Sequence, residues 1–339
     1  MSHRHPRISI RRRNRTAWLE PLEDRRLLAT IAVNTTADDV TPDATLSLRE
    51  AIEVANGTLA VGSLSALEQA QVSGALSNPN TIDFQIPGAG VHSIALATAL
   101  PAITSPVIIN GYSQPGASPN TNGPRTGDNA ALRIQLSGGP ARPQGLVIKA
   151  GNSTVRGLVI NGFNNGIDLQ TIGGNTIAGN FIGTNADGTA GGDTFRNNYG
   201  VLVQSQHNTI GGTAPADRNL ISGNNEGVRF PQNPVADNSN NLIEGNLIGL
   251  DVTGTMGILL SGEGVSIHSG AQETIGGTGA AAGNVVSGNT KGIFIQIVDP
   301  VGIGGHVIQG NILGLDVTGT ALVLTPNPGT GTPYRGNLQ

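Results

Sequence analysis

The chain has no cysteine among its 339 residues, so it has no disulfide, thiolate metal site or thiol nucleophile. Aromatic residues make up only 3% and charged residues only 12%. The shortage of aromatics argues against a conventional globular core, which needs large side chains. The shortage of charge excludes a highly charged disordered chain. No stretch approaches the ~18 consecutive apolar residues that mark a transmembrane helix, so no transmembrane segment is expected. Glycine, by contrast, is abundant, at 50 residues. A folded, elongated architecture of many short strands and turns, filled by Val, Ile, Leu and Ala, fits this balance.

The formal net charge of −4 hides an asymmetry: Arg4, Arg7, Arg11, Arg12, Arg13, Arg15, Arg25 and Arg26 are eight of the 19 basic residues. Beyond residue 29 the chain keeps 11 bases against 20 acids. An acidic body repels phosphates, so nucleic acid is not an expected partner. The basic head, with its RRRNR run, lacks the apolar stretch of an ordinary secretory signal. Its end, Leu19–Ala29 (LEPLEDRRLLA), resembles the LEPR-XLL motif of large planctomycete surface and exported proteins. That resemblance implies a targeting segment at residues 1–29 and an extracellular or cell-surface location.

Residues 30–144 read as an N-terminal cap with the first coils. Ile31–Asp39 alternates like a strand. In TLSLREAIEVANG (Thr45–Gly57), Ser47 and Glu50 have capping-box spacing, in which each side chain satisfies the other's backbone N–H. Leu48, Ile52 and Ala55 follow at helical spacing, and Asn56-Gly57 is a stop signal. A short helix here would cover the open end of a sheet structure. Residues 58–80 look like an insertion with a small helix near Leu64–Val72. The segment Leu46–Asn56 resembles the CSLREA domain that precedes bacterial β-helix repeats, with Leu46 in place of the family's cysteine.

Residues 145–320 carry explicit repeats. Strands beginning with glycine recur at Gly145, Gly166, Gly200, Gly227, Gly264 and Gly292, at spacings of 21, 34, 27, 37 and 28. Long and short coils therefore alternate in two-coil units of 61 to 65 residues. A second signature recurs as NTIAGN, NLISGN, NLIEGN, NVVSGN and HVIQGN. One such coil cannot bury its apolar face alone, whereas a stack of coils can. The expected fold is an all-β parallel β-helix with a short N-terminal capping helix, and the resemblance to bacterial β-helix families over roughly residues 30–320 implies the right-handed, pectate-lyase-like form. Asn180, Asn224, Asn246, Asn289 and Asn311 each follow a glycine after an apolar strand, which predicts an amide ladder at one corner. Residues 321–339 read as a Pro/Gly-rich tail or truncated coil.

The β-helix resemblance makes polysaccharide chemistry the sharpest functional hypothesis, but fold alone does not establish it. Hydrolysis needs two carboxylates flanking the scissile bond, and the one Asp pair, Asp38-Asp39, lies in the N-terminal strand. Elimination needs a base beside an acidic cluster. Lys149, Lys291, Arg156 and Arg229 are the candidates, and none has an acidic trio legible around it. His92, His207, His268 and His306 are scattered, with His207 and His268 out of register by three residues. Asp251 and Asp316 align with Asn185 in the repeated GLDVTGT loop, giving one oxygen-bearing side chain per unit. That is too few for calcium and suits a turn. The sequence therefore names no catalytic, cofactor-binding or metal-ligating residue. It favours a structural, adhesive or carbohydrate-binding role with an extracellular polysaccharide or cell-surface component as partner. A polysaccharide lyase or glycoside hydrolase is the alternative.

Overall fold

The computed structural model describes residues 29–232, 234–258, 261–296 and 304–325, and the backbone of residues 334–335. The expected targeting segment, all but Ala29, and most of the expected tail lie outside the described residues. Three strands close each full coil, and stacking the coils produces three sheets of ten, eight and six strands, called here the first, second and third, parallel throughout except for one antiparallel edge strand of the first. One full coil runs Thr154–Arg156 in the first sheet, Leu158–Asn161 in the second and Asn165–Gln170 in the third. The next begins at Thr176, paired in register with Thr154. This is the parallel β-helix that the repeats predict.

The inner faces of the sheets supply the core. Val155, Ile160 and Ile167 of one coil, then Ile177, Ile182 and Val201 of the next, are completely buried. The same three positions recur as Ile210, Ile221 and Val228, and again as Ile243, Ile248 and Val265. Period-two alternation within each strand places them inside.

At the N-terminal end the helix Leu48–Asn56 caps the stack. Both halves of the Ser47–Glu50 capping box are formed, and Gly57 ends the helix in the left-handed conformation. Its buried Leu48, Ile52 and Val54 join the main core. Within the expected insertion, a helical turn spans Ala66–Gln69. The strand Val72–Ser73 then pairs antiparallel with Thr30–Val33 and covers that edge of the first sheet.

The alternation of long and short coils takes a different form in the structure. Counted at the first sheet, strands start at Thr176, Thr209, Leu242, Thr274 and Val307, so each of these coils is 32 or 33 residues long, whereas the coil before them, from Thr154 to Thr176, is shorter. A long loop changes corner from coil to coil, and counting from the third-sheet glycines turns that shift into an apparent change of length. Those glycines form a column. A Cβ on Gly145, Gly166, Gly200, Gly227 or Gly264 would lie 2.2, 2.8, 2.6, 2.5 or 2.5 Å from the carbonyl oxygen of the column's next glycine. No side chain fits between backbones that close.

The asparagines divide between corners, which corrects the single-ladder expectation. Asn180, Asn246 and Asn311 do share the corner between the first and second sheets, but Asn219 and Asn284 fill the levels between them. Amide donates to amide at 3.1, 2.9, 2.9 and 2.9 Å through Asn180, Asn219, Asn246, Asn284 and Asn311. Asn224 stands at the corner between the second and third sheets, where it accepts from Asn197 at 2.9 Å. Asn289 occupies the equivalent turn and donates to Ile248 O at 3.0 Å. On alternate coils the first corner is made by a long loop ending in Asn rather than by Gly-Asn, so the shared Gly-Asn spelling conflates two places.

A second apolar layer lies outside the second sheet. Val159, Phe181, Leu220, Leu247 and Val285 point outward, yet they are buried against one another and against Leu250 and Val317 of the repeated loops. The loops stack in turn: Val252 N donates to Gly188 O at 3.0 Å, and Val317 N to Gly254 O at 2.8 Å. A strand buried on both faces reads as continuous apolar sequence, which explains the paired residues in GNLIG and GNFIG. Residues 111–132 cross this layer along the axis. Tyr112 OH donates to Gly179 O at 2.7 Å, Asn120 Nδ2 to Pro215 O at 2.9 Å, and Arg125 Nη1 to Thr318 O at 3.3 Å. Coils of a solenoid ordinarily touch only their neighbours; this strap ties distant ones together. Arg218 fastens it, donating to the carbonyls of Gly123, Thr126 and Gly127 at 2.9–3.0 Å.

The repeated acid shapes its own loop. Asp251 Oδ1 accepts from the Thr253 hydroxyl at 2.8 Å and from the N–H groups of Thr255 and Met256 at 3.3 and 3.2 Å. Asp316 does the same with Thr318, Thr320 and Ala321. These hydrogen bonds, Thr318's foremost, hold the Asp316 carboxyl below its usual range. Asn185 makes the matching contacts with Thr189 and Ala190. Asp251→Ala is expected to lower stability by about 1–3 kcal/mol, because the loop amides of Thr255 and Met256 lose a charged acceptor. Asp251→Asn is expected to recover most of that loss, since Asn185 already serves the sister loop. Urea unfolding midpoints of the two variants check both statements.

Candidate functional site

The third sheet differs from the other two in what its outer face carries. The outward residue beside each column glycine changes from coil to coil: Asn165, Tyr199, Glu226, Glu263 and Lys291 stand in register. A second outward column runs through Asp168, Leu202, Arg229, Ser266 and Phe294. The first sheet's corresponding face presents mainly Thr154, Thr176, Thr209 and Thr274. Chemistry therefore concentrates on the third sheet.

At its centre Arg229 Nη1 donates to both oxygens of Glu226, each at 2.6 Å, and lies 3.3 Å from His268 Nε2. The Ser266 hydroxyl also donates to Glu226. The guanidinium stacks over Tyr199, 5.0 Å from its ring centre. One coil further, Lys291 Nζ donates to Glu263 Oε1 at 2.8 Å and sits 3.8 Å above the Phe294 ring. His268 meets Phe294 edge-on, with ring centres 5.8 Å apart. Burial, with Arg229 next in importance, lowers the proton affinity of His268. The neutral ring then accepts from Arg229 through Nε2, which places its own proton on Nδ1.

Towards the N-terminal end the face continues as amides. Asp168, almost fully buried, accepts from Asn165 at 3.2 Å, Gln170 at 2.9 Å and Gln204 at 2.7 Å. From Asn165 to Lys291 the row spans five coils, roughly 19 Å at the usual spacing of paired strands.

Glu226, Glu263 and His268 each place one ligand-capable atom within 4.8 Å of the others. The donor types suit a divalent cation, but Arg229 Nη1 already touches both Glu226 oxygens and His268, so its positive charge stands where an ion would. The same contacts bear on catalysis. The Glu226–Glu263 separation approaches that of a retaining carboxylate pair. Both Glu226 oxygens accept from Arg229, and Lys291 holds Glu263 through Oε1, so each acid is paired with a cation.

Sequence reasoning placed Arg229 on an outward strand position and found no acidic trio around it; the structure brings two acids, Glu226 and Glu263, to its surroundings. The signal was present, because Glu226 and Glu263 both immediately precede a column glycine. Aligning the repeats one residue earlier brings Tyr199, Glu226, Glu263 and Lys291 into one column. Of the other candidates, Lys291 and His268 join them, whereas Arg156 and His207 do not. Arg156 lies on the first sheet, donating to Asn110 Oδ1 at 2.9 Å. His207 is an exposed turn residue with φ 57°.

Comparison with protein-family models gives no match to the chain. Comparison with curated proteins gives none either. Among the described residues no helix is long and apolar enough to cross a membrane.

Proposed function

We propose that the chain is a β-helix rod of an exported, cell-surface protein that binds an extracellular polysaccharide along the outer face of its third sheet without cleaving it. The observation that carries this reading is the row Tyr199, Glu226, Arg229, Glu263 and Lys291, held in register over successive coils. A flat row of carboxylates, cations and amides at repeating spacing suits an extended polymer rich in hydroxyls, since each level offers acceptors and donors together. The ion pairs are half-buried, so the side chains are pre-ordered and lose little further freedom on binding. Export rests on the resemblance of Leu19–Ala29 to the LEPR-XLL motif.

A polysaccharide hydrolase is the second reading, favoured by the proximity of Glu226 and Glu263. It ranks lower because each acid already has its own cation. A glycan array, run with reducing-sugar and unsaturated-uronate assays on every polymer retained, decides between them. Retention with no product is the expected outcome. Release of sugar from any of these polymers would replace binding with catalysis, and failure to retain any glycan would remove the polysaccharide reading.

A further inference from the structure

The corner between the third and first sheets requires an acceptor and a donor at every level. Asn175, Asn208 and Asn241 supply both. Their Oδ1 atoms accept from Ser153 N, Asn175 N and Asn208 N at 3.0, 3.0 and 2.8 Å. Their amide nitrogens donate to the carbonyl three residues back, at Ile172, Ser205 and Asn238, at 3.2, 2.8 and 2.7 Å. On the next coil the column holds Glu273, which is completely buried. Its Oε2 preserves the acceptor half, taking Asn241 N at 2.8 Å.

The donor half is unmet. Glu273 Oε1 is buried with no hydrogen-bond partner. It lies beside Gly270, again the residue three back: a Cβ on Gly270 would stand 2.7 Å from Oε1, 3.0 Å from Asn238 O and 3.1 Å from Asn238 Oδ1. No donor reaches Oε1, and a carboxylate cannot donate to this turn as the asparagines do, whereas a carboxylic acid offers one O–H. We infer that Glu273 is a neutral carboxylic acid whose Oε1–H replaces the ladder's missing amide donor, so that closure of the last described coils depends on a proton.

The charges around it agree. Asp237, on the preceding turn, has the same sign as an ionised Glu273. From the following coil His306 accepts the Glu273 N–H through Nδ1 at 3.3 Å, and burial disfavours its protonation. Among the described residues no base forms an ion pair with Glu273. Burial, opposed by the Asn241 hydrogen bonds, pushes the Glu273 carboxyl from 4.5 up to about 8. A raised folded value gives stability that is complete below the unfolded value and lost as the pH climbs through the folded one. The window therefore runs from about pH 4.5 to about pH 8, where the folded state surrenders the proton to solvent.

The decisive comparison is with Glu273→Gln, which carries an amide donor at every pH. The urea midpoint of the variant should gain on that of the native chain across this window and hold a constant lead above it. Hydrogen exchange in Val307–Gln309 should accelerate with alkalinity beyond its intrinsic pH dependence in the native chain only. On the native chain alone, infrared difference spectra should show a protonated carboxyl band that titrates near pH 8. A pH-independent difference between the two proteins, or the absence of any acid band titrating above the ordinary glutamate range, would overturn the inference.

Discussion

Gly227→Val is expected to abolish the cooperative fold or to cost at least about 4 kcal/mol, the range reserved for severe steric or strain defects. Gly227 lies in the middle of the glycine column, and a Cβ there would stand 2.5 Å from Gly264 O and 3.3 Å from Ile221 Cγ2. Neither neighbour can retreat cheaply. Gly264 O belongs to backbone paired on both sides, and Ile221 fills the main core. A wider gap between coils would stretch the hydrogen bonds between adjacent strands in all three sheets, because each coil is one closed turn. Gly62→Val supplies the control: a Cβ on Gly62 would meet nothing within 4 Å, so its effect is expected to stay near 0.5 kcal/mol. Thermal and urea unfolding of the pair measure the contrast. A Gly227→Val protein as stable as the control would disprove the close stacking of the column.

Asn219→Leu is expected to destabilise by about 3–5 kcal/mol, although the side chain is nearly the same size and wholly apolar. Asn219 is completely buried and serves four hydrogen bonds with its amide. Its Oδ1 accepts from Asn180 N at 2.9 Å and Asn180 Nδ2 at 3.1 Å. Its Nδ2 donates to Ile177 O at 2.8 Å and Asn246 Oδ1 at 2.9 Å. Removing the amide takes the acceptor from Asn180 N and a donor from Ile177 O, while Asn180 Nδ2 keeps Val155 O and Ala178 O and Asn246 Oδ1 keeps Asn219 N; the cost is about 1–3 kcal/mol for each uncompensated group. Asn219→Asp is expected to be no milder, since a carboxylate cannot donate to Ile177 O or Asn246 Oδ1. Unfolding free energies of the two variants test this directly. An Asn219→Leu protein of native stability would show that hydrophobic substitution satisfies the corner and that the ladder contributes nothing net.

Much of the architecture was legible because glycine and branched apolar residues recur with the strands themselves. The Ser47–Glu50 box and Gly57 fixed the capping helix for local reasons, since each contact lies within one turn of chain. Other features needed the third dimension. The outer apolar layer escaped notice because Val252 and Val317 sit in loops whose other residues are polar, so nothing local marks them as buried. The asparagines were assigned to one corner because Gly-Asn spells two different turns. The polar row on the third sheet was missed because its members differ from coil to coil: repetition reveals scaffold, whereas Glu226, Arg229, Glu263 and Lys291 stand out by failing to repeat. The same contrast applies to Asp251 and Asp316, which recur because a loop needs them.

The central claim is that binding resides in the non-repeating row. Its most direct measurement is the affinity, for a polysaccharide retained by the native chain, of a variant carrying Glu226→Gln, Arg229→Gln, Glu263→Gln and Lys291→Gln together. These four half-exposed side chains lie outside the core, so the variant is expected to remain folded, as its unfolding transition would verify. Affinity should fall at least about tenfold, equivalent to about 1.4 kcal/mol. A folded variant that binds the polymer as tightly as the native chain would contradict the account and place recognition on another face of the rod.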